Sequence, residues 1–122
     1  MNCRIYVVDD EANITRTWAL ILSRAGHDVS TFDTAEGALA AIRCNPPKVL
    51  LSDVGLPGMS GIELAMILQN EKVATHIVLI SGQTTTAEDV DHAALHGFSF
   101  EVLAKPVGPN KLLNLVSLLC QS

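Results

Sequence analysis

The residues best suited to do chemistry in this 122-residue chain are Asp9 and Asp10 (with Glu11 beside them), Asp53, Ser81 and Lys105. Each follows a short apolar run, so each would leave a strand at its carboxyl end. Three carboxylates held within several ångströms repel one another, and at neutral pH they require a cation or a raised pKa. An all-oxygen donor set with open positions suits Mg²⁺, which keeps waters and accepts phosphate oxygens. Lys105 adds a second positive charge and Ser81 a hydroxyl donor, so the set matches a tetrahedral dianion held by metal, ammonium and hydroxyl. Asp53 stands alone at its strand end, ahead of Val54-Gly55-Leu56-Pro57-Gly58. It is the carboxylate best placed to act as a nucleophile and become an acyl phosphate.

Each fragment also has a plain reading. An Asp-Asp pair after a strand caps a helix or turn, an Asp before Gly-x-Pro-Gly is turn chemistry, Ser-Gly is a turn, and Lys-Pro is a solvated exit. What favours chemistry is the conjunction, because all four fall at carboxyl ends.

The elements that must position these groups are legible as alternating patterns. Apolar runs at Ile5–Val8, Val29–Phe32, Val49–Leu51, Ile77–Ile80 and Val102–Ala104 read as strands. The first, third and fourth are continuously apolar, as expected of parallel strands covered on both faces. Between them Ile14, Trp18, Ile21, Leu22 and Ala25 recur at helical spacing, with Gly26 as a stop. Asp33 with Glu36, and Ser60 with Glu63, each have capping-box spacing. Thr86 is expected to open a helix carrying Val90, Ala93 and Ala94, and Gly108-Pro109 to open the last one. Five strands alternating with five helices give an α/β fold, a single doubly wound parallel sheet of flavodoxin-like order 2-1-3-4-5. In that order strands one and three are neighbours, so Asp9, Asp10 and Asp53 converge.

Composition bounds the rest. A chain of this length is one domain, spanning residues 1–122, and buries roughly two-thirds of its unfolded surface. With 48% hydrophobic but only 4% aromatic residues, its core must be aliphatic. The net charge of −5 argues against binding nucleic acid or an anionic membrane. Cys3, Cys44 and Cys120 are odd in number and irregularly spaced, which fits neither a disulfide framework nor a zinc pattern. Together with the absence of a signal-peptide pattern, this leads to the expectation of a soluble cytoplasmic domain.

The motifs Val7-Val8-Asp9-Asp10-Glu11, Ser52-Asp53-Val54-Gly55-Leu56-Pro57-Gly58-Met59-Ser60-Gly61, Ile80-Ser81-Gly82 and Leu103-Ala104-Lys105-Pro106 stand in a characteristic order and spacing. Over essentially its whole length the chain resembles the receiver domain of bacterial two-component response regulators, including the chemotaxis regulators. The resemblance implies that Asp53 takes a phosphoryl group from a phosphohistidine on a sensor histidine kinase or phosphotransfer protein. It implies that Asp10 and Asp53 bind Mg²⁺ directly, that Asp9 supports it through water, and that the Gly55 carbonyl is a further ligand. Lys105 would pair with the phosphoryl oxygens, Ser81 would move to hydrogen-bond them, and a cis Lys105-Pro106 peptide would aim the lysine inward.

One position departs from the family pattern. Where the family carries Tyr or Phe three residues before the lysine, this chain has Val102, with Phe100 two residues earlier. Either Phe100 substitutes from a shifted strand start or the aromatic half of the relay is missing; the switch is expected to run through Ser81 and the Gly82–Thr86 loop, without an inward-turning aromatic at Val102.

Other features have bland readings. His92 and His96 lie one helical turn apart with no third ligand nearby in sequence, as on a solvated face. Gly55, Gly58 and Gly61 do not match a dinucleotide fingerprint and read as loop flexibility, and the acidic first loop disfavours a flavin phosphate. Trp18 reads as core. The last helix carries more apolar residues than one buried face needs, so it either packs deeply or meets a partner, a second copy or an output domain. The expected function is a Mg²⁺-dependent phosphoacceptor that promotes its own phosphorylation and is not an enzyme in the usual sense. The alternatives are a receiver-fold interaction module signalling without phosphorylation, and a phosphohydrolase. The latter is weakened by Gly55, which supplies no general acid two residues after Asp53.

Overall fold

The computed structural model describes residues 3–81, 101–105 and 107–121. Five parallel strands, β1 (Arg4–Val8), β2 (Asp28–Phe32), β3 (Val49–Asp53), β4 (His76–Ser81) and β5 (Glu101–Ala104), form one sheet of order β2-β1-β3-β4-β5. This is the doubly wound order expected from the alternation of patterns. Helices α1 (Ala12–Arg24), α2 (Ala35–Cys44), α3 (Gly61–Asn70) and a C-terminal helix (Pro109–Cys120) cover it. The helix expected from Thr86, the His92/His96 pair, the Gly82–Thr86 loop, Phe100 and Pro106 lie outside the described residues.

Strand alternation divides the core into two layers. Tyr6, Val8, Leu50 and Leu79 face α2 and α3, where they pack with Leu39, Ile42, Leu64 and Leu68. Ile5, Val7, Leu51, Val78 and Ile80 face α1 and the C-terminal helix, packing with Trp18, Leu22, Leu112 and Val116. Most of these side chains are fully buried, each contributing about 1.5–3 kcal/mol relative to exposure. Trp18 is core, as its place on the α1 stripe predicts.

The caps set the helix starts. Ser60 and Glu63 form the expected capping box: the Glu63 N–H donates to Ser60 Oγ at 3.1 Å and the Ser60 N–H to Glu63 Oε1 at 3.4 Å. At α2 the expectation needs correction. The cap is Thr34, whose Oγ1 accepts from the Gly37 N–H at 3.1 Å. Asp33 and Glu36 shared the right spacing, but a hydroxyl one residue later had the right reach. Gly26 ends α1 with φ of 97°, and Pro109 opens the C-terminal helix at its first position.

The C-terminal helix buries Leu112, Val116 and Cys120 and half-buries Leu113, Leu115 and Leu119 against the sheet, leaving Leu118 exposed. The wide apolar face read from the sequence is therefore mostly consumed by packing. The cysteine expectation is overturned: Cys3 and Cys120 are joined as a disulfide across a separation of 117 residues, and only Cys44 stays a free thiol. Their spacing looked uninformative because the chain's two ends meet only once the sheet is wound.

Candidate functional site at the carboxyl rim

Register brings the acidic groups together. Val8 pairs with Ser52 and Asp53 with Ile80, so Asp9 and Asp53 leave adjacent strands at the same level. Ser81 pairs with Ala104, which puts Lys105 one residue beyond, and the Lys105 N–H donates to the Ser81 carbonyl at 2.8 Å. Asp9 and Asp53 continue the alternation of Val7 and Leu51, and so emerge on the same side of the sheet.

Carboxylate oxygens of Asp9, Asp10 and Asp53 lie within 4.8 Å of one another. Asp9 and Asp53 are buried, at 1% and 7% exposed, while Asp10 faces solvent. Lys105 Nζ donates to Asp9 Oδ2 at 3.3 Å and lies 3.4 Å from Asp53 Oδ1. The Glu11 N–H donates to Asp9 Oδ1 at 3.0 Å. Burial pushes the Asp9 carboxyl above the usual aspartate range, only partly offset by the Glu11 N–H and Lys105. For Lys105, burial works against the ammonium, but the Asp53 and Asp9 carboxylates together outweigh it and raise the pKa.

The loop after β3 is held by backbone contacts. The Val54 N–H donates to the Ile80 carbonyl and the Gly61 N–H to the Val54 carbonyl, both at 3.0 Å. A Cβ at Gly61 would collide with the Asp53 carbonyl, so the start of α3 rests directly on the residue that bears the candidate nucleophile. Sequence reading took Gly61 for loop flexibility. Its signal lay in its place as the first residue after the Ser60 cap, immediately beyond the Asp53 loop. Gly58 has φ of +74°, a left-handed turn that only glycine adopts freely.

The structure therefore gathers Asp9, Asp10, Asp53 and Lys105 into one cluster and places Ser81 beside Lys105 through the backbone. Gly55 follows in the exposed loop after β3. Val102 packs half-buried against the α2/α3 layer, paired with Leu79. Three carboxylates against one ammonium leave surplus negative charge in a partly buried pocket. A hard divalent cation of the Mg²⁺ class fits that oxygen donor set.

Comparison with known proteins agrees. The family model described as the response regulator receiver domain matches residues 5–117. The transcriptional regulatory protein KdpE of Mycobacterium tuberculosis is 37% identical over 109 residues, covering 89% of this chain and 47% of that protein. Among solved structures, the receiver domain of the Francisella response regulator 1452 superposes with a TM-score of 0.86 at 25% identity, covering 98% of each chain. NtrX from Brucella abortus superposes at 0.84 with 30% identity, covering 99% of this chain and 27% of that one. The chain spans about half the length of KdpE and of the DNA-binding response regulator MtrA of Mycobacterium leprae. Sequence motifs, strand order and rim geometry converge with these likenesses: the chain belongs to the response regulator receiver domain family.

Proposed function

We propose that this chain is a phosphorelay receiver in which Asp53 accepts a phosphoryl group from a phosphohistidine of a sensor histidine kinase or phosphotransfer protein. An Asp53 carboxylate oxygen forms the new O–P bond as the donor N–P bond breaks, and the electron pair leaves on the imidazole. The observation that carries this reading is the Lys105 ammonium 3.4 Å from Asp53 Oδ1, beside two further carboxylates. Lys105 is placed to take up charge on the phosphoryl oxygens, and its pairing with Asp9 keeps it at the rim before transfer. Asp9 is turned inward and tied to Lys105 and the Glu11 N–H, which suits a supporting role. Asp10 and Asp53, with the Gly55 carbonyl, are the direct metal ligands in this reading. Bound Mg²⁺ would supply charge neutralisation for the incoming phosphoryl oxygens.

The output in this reading is a change at Ser81, whose strand end is locked to Lys105 by a backbone hydrogen bond, passed to a partner or to an output domain. KdpE and MtrA are named as transcriptional and DNA-binding regulators, which makes such an output domain the natural recipient. Residues 1–122 act as the phosphoacceptor unit; among the described residues no helix is long and apolar enough to cross a membrane. The chain promotes its own phosphorylation and dephosphorylation without turning over an external metabolite.

Incubation with acetyl phosphate and Mg²⁺, followed by intact mass over time, tests the proposal. A gain of about 80 Da (one phosphoryl group) that requires Mg²⁺ is expected. No gain would favour the phosphorylation-independent module, and rapid multiple turnover the hydrolase.

A further inference from the structure

At the opposite rim three soft donors meet that the phosphoacceptor chemistry does not use. Cys3 immediately precedes β1, His27 immediately precedes β2, and Cys120 ends the C-terminal helix. One ligand atom from each lies within 4.8 Å of the others. His27 and Cys120 are buried, at 9% and 6% exposed, and Cys3 is half-buried. The backbone fixes two of the donors: the Cys3 N–H donates to His27 Nδ1 at 3.2 Å, and the Asp28 N–H donates to the Cys3 carbonyl at 3.1 Å. Because an N–H donates to it, Nδ1 carries a lone pair, and the proton of the neutral ring sits on Nε2.

The disulfide joins the two sulfurs. In the reduced chain the same positions present two thiols and an imidazole nitrogen. Two thiolates and one imidazole form a donor set suited to tetrahedral Zn²⁺, with a fourth position for water, and poorly suited to Mg²⁺.

We propose that the reduced chain binds one thiophilic divalent cation of the Zn²⁺ class through Cys3 Sγ, Cys120 Sγ and a His27 ring nitrogen. Each thiol releases its proton to solvent as its sulfur bonds the cation. Coordination through Nδ1 exchanges the Cys3 N–H hydrogen bond for the metal bond and leaves the Nε2 proton in place. Forming the disulfide closes the site. A small-molecule disulfide exchanges with the two metal-bound thiolates, takes two electrons from them and two protons from solvent, and leaves as two thiols while the cation departs. Either state ties the end of the C-terminal helix to the start of β1, so the cation substitutes for the covalent link under reducing conditions.

The test uses the full chain, reduced with a phosphine, desalted without oxygen and held in excess Mg²⁺ to occupy oxygen sites. Titration with Co²⁺, a spectroscopic stand-in for Zn²⁺, should produce a thiolate-to-cobalt charge-transfer band that saturates at one ion per chain and is bleached by Zn²⁺. Alkylation with iodoacetamide and peptide mass mapping should then show Cys44 modified, with Cys3 and Cys120 protected only when Zn²⁺ is present. Cys44→Ser should keep the band, Cys120→Ser should lose it, and His27→Gln should bind more weakly with a shifted spectrum. Absence of the band, a band that survives Cys120→Ser, or equal alkylation of Cys3 and Cys120 with and without Zn²⁺ overturns the proposal. The alkylation result stands on the unmutated chain, so it decides the matter even where a variant folds poorly.

Discussion

The two rims of the sheet differ in chemistry and in how they are assembled. At the carboxyl rim, Asp9 and Asp53 hold Lys105 with Asp10 beside them, a hard, oxygen-rich cluster. At the amino rim, Cys3, His27 and Cys120 form a soft cluster of sulfur and nitrogen. In a parallel sheet every strand begins at one rim and ends at the other, so a residue's rim is decided by which side of an apolar run it occupies. The carboxyl-rim groups directly follow the runs that carry them. The amino-rim groups precede β1 and β2 or close a helix, and helices in this winding run back against the strands. A residue ending the last helix thus returns to where the strands begin.

The largest effect that could break this contrast is chemical. Asp53→Asn should abolish the acetyl phosphate adduct completely in intact mass, while Asp10→Asn should slow its appearance by weakening Mg²⁺ binding. An adduct of undiminished yield on Asp53→Asn would move the acceptor elsewhere in the rim.

Next in size is the covalent tie at the amino rim. Reducing Cys3–Cys120, which closes a loop of 117 residues, should lower unfolding free energy by about 2–4 kcal/mol in urea titrations. Zn²⁺ should return part of that loss to the reduced chain. No change on reduction would mean that this rim contributes little to holding the two ends together.

Gly61→Ala should cost about 1–3 kcal/mol, because the added methyl meets the Asp53 carbonyl and forces the loop or α3 to shift. The same variant should slow phosphorylation, linking a stability readout to the acceptor's position. A variant as stable and as fast as the parent would separate α3 from the site.

The smallest effect concerns pH. The Asp9 pKa is raised mainly by burial, so the folded chain favours its protonated form. Its contribution to stability is full below the ordinary aspartate value of 3.8 and is lost as pH rises through the raised folded value. Asp9→Asn should therefore flatten the pH dependence of the denaturation midpoint just above 3.8, measured in EDTA. An unchanged slope would mean that Lys105 and the Glu11 N–H fully offset burial.

This geography also explains what could be read in the sequence. The five strands, their order and the carboxyl-rim groups were legible because continuous apolar runs mark strands, and polar residues at their ends mark the rim. Two features escaped. The Gly61 contact depends on backbone approach, which no side-chain pattern reports. The Cys3–Cys120 meeting depends on the fold closing over 117 residues, and spacing rules for cysteines assume local frameworks. The signal that could have revealed it is topological: the last helix of a parallel winding ends at the rim where the first strand starts. The α2 cap shows a lesser limit, since Asp33 and Thr34 are adjacent candidates and only geometry chooses the hydroxyl.

In the proposed relay Asp53, not its acidic neighbours, receives the phosphoryl group. Borohydride reduces an acyl phosphate to an alcohol, converting a phosphorylated aspartate to homoserine that peptide mass mapping can locate. After treatment with acetyl phosphate and Mg²⁺, homoserine at position 53 alone is the predicted result. Homoserine at position 9 or 10, or none in a chain that has gained about 80 Da, would contradict it.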